Sequence, residues 1–258
     1  MREMSVTKYD YGWETKWDDM KTYGPFSRHL RRLIKDMIRP LNFDTVLDVG
    51  CGQGSLLAEL CSEFPHIKPH GCDISAAALE LAQQKIPLGR FSLLDIAKDH
   101  VIDKFDLIVC SEVLEHIPDD MAVLENLAHM TAKYLVISAP QGRMRRFEAD
   151  QVGHVRNYAS GELVQKVEKS GFEVASVIEW GFPFYSPLYR NLLELTGSRG
   201  TTGEFGPVRK AISDAIYLLF MLNSSKRGDE ILILAESPSA RPRRHDGYAS
   251  SLNVTRGL

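Results

Sequence analysis

The chain has 258 residues, of which 44% are hydrophobic and 25% charged, the balance of an ordinary globular protein with one large domain. Its formal net charge of −3 gives no general attraction to phosphate backbones and therefore disfavours nucleic acid as a partner. No stretch approaches the roughly 18 uninterrupted apolar residues of a membrane span, and residues 1–10 lack the apolar core of a signal peptide. We therefore expect a cytoplasmic protein.

Residues 1–44 are predicted to form a helical cap ahead of the first strand. Apolar residues recur there at steps of three and four: Phe26, Leu30, Leu33, Met37 and Leu41. That spacing is typical of an amphipathic helix packed on a core. Its opposite face is basic. Such a face is usually a solvated surface and less often a binding site for nucleic acid or lipid.

From Thr45 onward, strand-like and helix-like patterns alternate. The predicted strands cover residues 45–50, 68–74, 90–96, 105–111 and 134–140. The predicted helices between them cover residues 55–64, 75–85 and 119–130. Because parallel strands are joined by right-handed helical crossovers, this alternation predicts an α/β fold with a parallel sheet covered on both faces.

The second half of the pattern contains an insertion. A helix is predicted over 160–171, and strands over 172–180 and 230–236, so that one domain spans 45–236. Between these strands, the aromatic-rich segment 181–229 is far longer than a hairpin needs, and it includes a helix candidate at 208–222. It is predicted to pack on the sheet edge, to contact a second subunit in a homodimer, or to cover a substrate.

The last residues, 237–258, hold four arginines against one acid and little apolar content. This composition predicts a disordered tail.

The stretch "VLDVGCGQGSL" places Gly50, Gly52 and Gly54 directly behind a buried strand. Glycine allows a sharp turn in which backbone N–H groups and the next helix N-terminus approach a ligand. The G-x-G-x-G spacing departs from the G-x-G-x-x-G of dinucleotide-binding turns.

Acidic residues follow the next strands in register. Asp73 ends the second strand, where its carboxylate can accept hydrogen bonds from both hydroxyls of a ribose. Asp95 and Ile96 follow at the third strand, where they can contact an adenine. A sulfonium ligand bearing a ribose favours such acids, whereas a pyrophosphate favours N–H groups and positive charge.

The motifs "LDVGCGxG", "DIS" and "EVLEHI", in this order, resemble the class I S-adenosylmethionine-dependent methyltransferases that act on small molecules. The resemblance covers roughly residues 40–180. It implies a Rossmann-like, doubly wound seven-stranded sheet in the order 3-2-1-4-5-7-6, with the last strand antiparallel. It also implies S-adenosyl-L-methionine as the cofactor and methyl transfer to an oxygen or nitrogen of a small-molecule, lipid-linked or glycan acceptor.

The resemblance assigns a set of positions to the cofactor site: Asp48, Gly50, Cys51, Gly52, Gly54, Asp73, Ile74, Asp95, Ile96, Ser111 and Glu112. In the cap, Trp17 or Tyr23 is expected either to cover the cofactor or to pack in the interior.

Two histidines are the candidate catalytic residues. His116 follows strand four, and His154 lies in the loop after strand five, where a general base for an oxygen or nitrogen nucleophile is needed. The set Glu112, Glu115, His116 and His154 also resembles the divalent-metal site of some relatives, since helical spacing would put the first three on one face. Elsewhere in the family the same acid and histidine brace a loop, so no metal is assigned.

Three arginines, Arg143, Arg145 and Arg146, follow strand five and are expected either to be solvated or to bind an acidic group of the acceptor. Two alternative functions stay open: a metal-assisted RNA methyltransferase, and a silent methyltransferase-like interaction module. Silent modules usually lose the glycines or the ribose acid, which this chain keeps.

Overall fold

A single sheet forms the centre of the computed structural model, which describes residues 10–13, 17–196 and 203–238. Its strands are β1 (Thr45–Val49), β2 (Lys68–Asp73), β3 (Arg90–Leu93), β4 (Phe105–Ser111), β5 (Thr131–Pro140), β6 (Glu173–Trp180) and β7 (Glu230–Glu236). They are ordered β3-β2-β1-β4-β5-β7-β6. Only β7 runs against its neighbours, pairing antiparallel with β5 and β6. The predicted fold and strand order are confirmed.

Helices cover both faces of this sheet. They are α1 (Asp18–Tyr23), α2 (Pro25–Ile38), α3 (Ser55–Glu63), α4 (Ala76–Lys85), α5 (Asp120–Met130), α6 (Glu162–Lys169), α7 (Arg190–Thr196) and α8 (Pro207–Phe220). One apolar core lies between the sheet and α5 and α6. The other lies between the sheet and α2 and α3, and Trp180, Tyr185 and Phe220 extend it into the segment between β6 and β7.

Two strand boundaries differ from the predicted ones by three residues, and the others differ by no more than one. β3 ends at Leu93 rather than residue 96, because Asp95 starts a turn in which its Oδ1 accepts the N–H of Ala97 at 3.2 Å. β5 begins at Thr131, directly after α5, rather than at residue 134. Both differences are at strand ends, and neither changes the order of the sheet.

The remaining segments fall partly outside the described residues. Residues 1–9 and 14–16 of the predicted cap and residues 239–258 of the predicted tail are not described. In segment 181–229, a one-turn π-helix (Phe184–Tyr189) leads into α7, and α8 confirms the helix expected at 208–222. Among the helices within 10–13, 17–196 and 203–238, none is long and apolar enough to cross a membrane.

Candidate active site

A cavity of about 930 Å³ opens at the carboxyl ends of the parallel strands, the edge at which open α/β sheets bind ligands. The predicted site residues that line it are Asp48, Gly50, Cys51, Gly52, Asp73, Ile74, Asp95, Ile96, Ser111, Glu112, His116 and His154. The fold thus brings together side chains that are up to about a hundred positions apart in the sequence. The cavity continues past them between α1, α2, α7 and α8.

The turn after β1 requires glycine at two positions. Gly50 and Gly52 have φ angles of 70° and 51°, in the left-handed region that disfavours other residues. A Cβ atom on Gly52 would lie 2.5 Å from the ring of Trp13, and one on Gly50 would lie 2.4 Å from Val113 Cγ2. Sequence patterns did not point to Trp13, which belongs to the cap but closes over this turn.

Gly54, in contrast, is not among the residues that line the cavity. It is the N-cap of α3, with φ 77°, and a Cβ there would approach Ala82 Cβ of α4 to 3.2 Å. Gly54 therefore allows two helices to pack closely, while Gln53 beside it lines the cavity.

Asp48 and Asp73 are buried beside each other below the turn. Asp73 Oδ2 accepts the N–H of Gly52 at 2.8 Å, and its Oδ1 accepts the N–H of Ser75 at 2.9 Å. The carboxylate can accept about four hydrogen bonds in all, so it keeps capacity for a ligand hydroxyl. Burial, together with the Asp73 carboxylate, raises the pKa of Asp48 to about 8. A cation in the cavity would favour the charged form of both acids.

The predicted adenine contacts lie on the opposite wall. Asp95 Oδ2 pairs with Lys98 Nζ at 2.7 Å, and Ile96 is buried with its carbonyl accepting a hydrogen bond from Asn126 Nδ2 at 2.8 Å. At the end of β4, the hydroxyls of Ser111 and Ser138 are 2.8 Å apart.

Glu112 is not part of the converging group that the other three members of the predicted metal set form, although its carboxyl is close enough to interact with that of Glu115. It has φ 59°, whereas Leu114–His116 form a short 3₁₀ turn, so positions 112, 115 and 116 do not share a helix face. Glu112 instead contacts Glu230, a fully buried acid at the start of β7. Burial and the neighbouring Glu112 carboxyl raise the pKa of Glu230 well above its usual value, which favours its protonated form.

Glu115, His116 and His154 converge at one point of the cavity wall. A nitrogen or oxygen atom from each lies within 4.8 Å of the other two, and Glu115 Oε1 is 3.7 Å from His116 Nε2 and 4.0 Å from His154 Nε2. Burial lowers the pKa of His116 to about 3 and that of His154 to about 4, so both rings are neutral. Glu115 is completely buried, and neither of its carboxylate oxygens has a hydrogen-bond donor among the described residues.

The hydrogen bonds of the two rings fix their tautomers. His116 Nδ1 lies 3.2 Å from the Gly153 carbonyl, which can only accept, so this nitrogen carries the proton. Asn157 donates its amide N–H to Glu148 and turns its oxygen to His154 Nδ1 at 3.4 Å. Both Nε2 atoms therefore present lone pairs toward the Glu115 carboxyl, which is the arrangement of a cation site.

The arginines of the loop after β5 have a structural role. Arg145 is buried, and its guanidinium contacts Asp229 at 3.4 Å and Asn191 at 3.1 Å, whereas Arg143 and Arg146 are exposed and line no part of the cavity. The exposure of Arg143 and Arg146 agrees with the solvated alternative for these two arginines. Arg190, which sequence patterns did not single out, is instead buried at the cavity wall.

Arg190 forms a buried ion pair with Glu148. Its Nε donates to Glu148 Oε1 at 2.9 Å, and its Nη1 lies 3.1 Å from Asp229 Oδ2. Glu148 Oε2 also accepts the N–H of Arg145 at 2.7 Å. This network joins the loop after β5 to α7 and so fixes the wall that carries His154.

Arg190→Met is expected to lower the free energy of unfolding by about 3–5 kcal/mol, because Glu148 would keep a buried charge without its partner. Urea unfolding measures the change. Arg143→Met, at an exposed position, is the matched control and should change stability by less than about 0.5 kcal/mol. An Arg190→Met variant as stable as the control would contradict the assigned role of the pair.

The far end of the cavity is mostly apolar. It is lined by Phe26, Leu30, Phe147, Tyr185, Tyr189, Leu193, Phe205, Ile212 and Ile216. Trp17 lines the cavity and packs edge-on against Trp13, with ring centroids 5.6 Å apart. Tyr23 stacks on Phe205 on a different surface, so of the two cap aromatics only Trp17 reaches the cavity.

Part of the chain is similar to known proteins. A family model described as a methyltransferase domain matches residues 47–133. The ubiquinone biosynthesis O-methyltransferase of Glaesserella parasuis is 31% identical over 143 residues, which cover 50% of this chain and 59% of that protein. The trans-aconitate 2-methyltransferase of Azoarcus sp. is 31% identical over 114 residues, which cover 43% and 45%. The chain thus spans about half the length of the curated relatives it matches.

A solved structure extends the likeness of the fold. The N-methyltransferase NodS of Bradyrhizobium japonicum, in complex with S-adenosyl-L-homocysteine, superposes with a TM-score of 0.59. The match covers 90% of this chain and 98% of that one at 16% identity. At this level of identity, the comparison supports the fold.

Proposed function

We propose that the chain is a class I S-adenosylmethionine-dependent methyltransferase, and that it transfers a methyl group from S-adenosyl-L-methionine to an oxygen or nitrogen of a small organic acceptor. One observation carries the proposal. The glycine turn and the acids Asp48, Asp73 and Asp95 line a single cavity that continues into an apolar chamber. Four of the curated relatives are named ubiquinone biosynthesis O-methyltransferases, which favours oxygen as the acceptor atom.

The cofactor would occupy the part of the cavity nearest the sheet. The backbone of the turn at Gly50–Gly52 would hold the methionine part, Asp73 the ribose hydroxyls, and Asp95 with Ile96 the adenine. S-adenosylmethionine supplies an activated methyl group on a positively charged sulfur. The buried carboxyls of Asp48 and Glu112 favour a cation in this position, because each is costly to ionise without one.

The protein then has to align the acceptor for an in-line displacement. Holding two reactants at near-attack distance is worth on the order of 10⁵ M in effective concentration. The apolar chamber beyond Phe26 and Tyr185 would bind and orient the acceptor and exclude water. His154, which is neutral, would accept the proton of an acceptor hydroxyl or amine at Nε2. His116 is the neighbouring candidate for this role.

A second mode of action rests on the convergence of Glu115, His116 and His154. Two neutral imidazole nitrogens and one buried carboxylate without a donor are the ligand set that divalent transition metals prefer. These residues would hold such an ion, and the ion would lower the pKa of a bound acceptor hydroxyl. In that case both histidines are metal ligands.

Calorimetric titration with S-adenosylhomocysteine tests the proposal. We expect saturable binding at one site per chain, and transfer of a labelled methyl group from S-adenosylmethionine to hydroxylated aromatic compounds. Absence of binding at millimolar ligand would contradict the assignment. Binding without transfer to any oxygen or nitrogen acceptor would favour the silent interaction module.

A further inference from the structure

The outward face of α8 is mostly apolar, with the exposed Asp214 at its edge, where this carboxylate pairs with Arg28. Viewed along the helix, Val208, Ala211, Ile212, Ala215, Leu218 and Leu219 point away from the protein core, and Leu222 continues the row in the turn that follows. Val208 is 72% exposed, Leu218 66% and Leu222 69%. An exposed helix of a globular protein normally carries charges on this side, so the face indicates contact with an apolar phase.

Helix α7 and the turn before it add a second apolar row. Leu188, Leu192 and Leu195 are spaced by four and three residues and are all exposed. Both helices also line the cavity, α7 through Leu193 and α8 through Ile212 and Ile216. Ile212 belongs to the cavity wall and to the exposed face, so the apolar surface runs to the rim of the cavity.

A basic cleft of about 500 Å³ borders the other side of α8, between this helix and α2. Five cations line it, namely Arg28, Arg31, Arg32, Lys35 and Lys210, against the two carboxylates of Glu59 and Asp214. Asp214 pairs with Arg28 at 2.6 Å, and Glu59 is shared between Arg31 and Lys35. The lining residues carry a formal excess of three positive charges, which Asp36 and Glu63 beside the cleft reduce by pairing with Arg32 at 3.1 Å and with Lys35 at 3.9 Å.

We propose that α7, α8 and this basic cleft form a docking surface for an anionic lipid membrane. Apolar side chains would enter the boundary between head groups and acyl chains, and the cleft would bind lipid phosphates, as amphipathic interfacial helices do. A second copy of the chain fits less well, because a two-fold contact across α8 would bring two positive clefts together. Docking in this orientation turns the rim of the cavity toward the membrane, which suits a lipid-linked or otherwise membrane-dissolved acceptor under the proposed function.

Flotation with vesicles tests the docking. The vesicles consist of phosphatidylcholine, either alone or with roughly 30% of the anionic lipid phosphatidylglycerol. We expect binding to the anionic vesicles that weakens with salt. Leu218→Glu with Leu222→Glu should reduce the partition coefficient at least about tenfold, because two charges would enter the apolar boundary. Arg32→Glu with Lys210→Glu should reduce it about as much, since both cations line the cleft that would bind lipid phosphates.

The matched control is Leu88→Glu with Ile102→Glu. These residues are 93% and 97% exposed in loops at the other edge of the sheet, and their replacement should leave vesicle binding unchanged. Equal loss in the control, or no binding of the unaltered protein to anionic vesicles, would overturn the proposal. The proposal would also be overturned if the protein does not bind vesicles and analytical ultracentrifugation shows a dimer that the changes at Leu218 and Leu222 dissociate. Binding of S-adenosylhomocysteine is measured on the same variants without lipid. Normal binding there shows that a failure of membrane docking is separate from a failure of the proposed activity.

Discussion

Replacing Asp73 by alanine is expected to weaken the binding of S-adenosylhomocysteine at least tenfold, or by about 1.4 kcal/mol. The carboxylate ends β2 inside the cavity and retains free lone pairs after it has accepted the N–H groups of Gly52 and Ser75. Hydrogen bonds to a charged group contribute about 1.5–3 kcal/mol each, so the loss of two ribose contacts is large. Isothermal titration at a temperature where circular dichroism shows a folded variant measures the effect.

The same carboxylate also shapes the glycine turn, so weaker binding could arise without a ribose contact. Analogues of S-adenosylhomocysteine that lack the 2′ or the 3′ hydroxyl distinguish the two causes. If Asp73 binds the ribose directly, the analogues bind the unaltered protein more weakly, but they bind Asp73→Ala as well as the parent compound does. Asp73→Asn keeps the shape of the side chain, and Asp99→Ala, at an exposed position, serves as the control. Unchanged affinity in Asp73→Ala and in Asp73→Asn would remove the ribose role of this residue.

The fold could be predicted because its signals are local. Strand β4 and strand β7 have the predicted bounds, since each is a short apolar run flanked by turn residues. The positions of Gly50, Gly52 and Asp73 follow from the same logic, because parallel strands place their carboxyl ends at one edge of the sheet.

The features that the sequence did not predict depend on contacts between distant segments. Glu230 is the first residue of β7, and the apolar pattern of this strand gives no sign that Glu230 contacts Glu112. Arg190 and Glu148 are 42 positions apart, and each alone resembles a surface charge. Gly54 carries the spacing of the motif, yet it serves the packing of α3 on α4. In each case the identity of the partner decides the role, and a single sequence does not reveal partners.

Glu115→Gln is expected to lower the affinity for Mn²⁺ or Zn²⁺ by about a hundredfold or more, and His154→Asn is expected to lower it by a similar factor. Replacing a residue that merely supports a metal ligand costs 10–100-fold in affinity, and replacing a ligand costs at least as much. If the ion is needed for turnover, chelation with EDTA should abolish methyl transfer, and added metal should restore it. Calorimetric metal titration and a transfer assay with labelled S-adenosylmethionine provide the two measurements, and His66→Asn, an exposed histidine, is the control.

The glutamine variant separates metal binding from folding. Burial and the nearby Glu112 carboxyl raise the pKa of Glu115 well above its usual value, so without a cation this group is a neutral acid, and glutamine reproduces its shape and charge. Glu115→Gln should therefore be at least as stable as the unaltered protein in EDTA, and it should lose the stabilisation that bound metal gives the unaltered protein. Full activity in EDTA, with no metal binding, would contradict the metal site. If the His154→Asn variant then loses turnover while the Glu115→Gln variant keeps it, His154 is identified as the general base, because removing the base lowers the rate whether or not Glu115 is present.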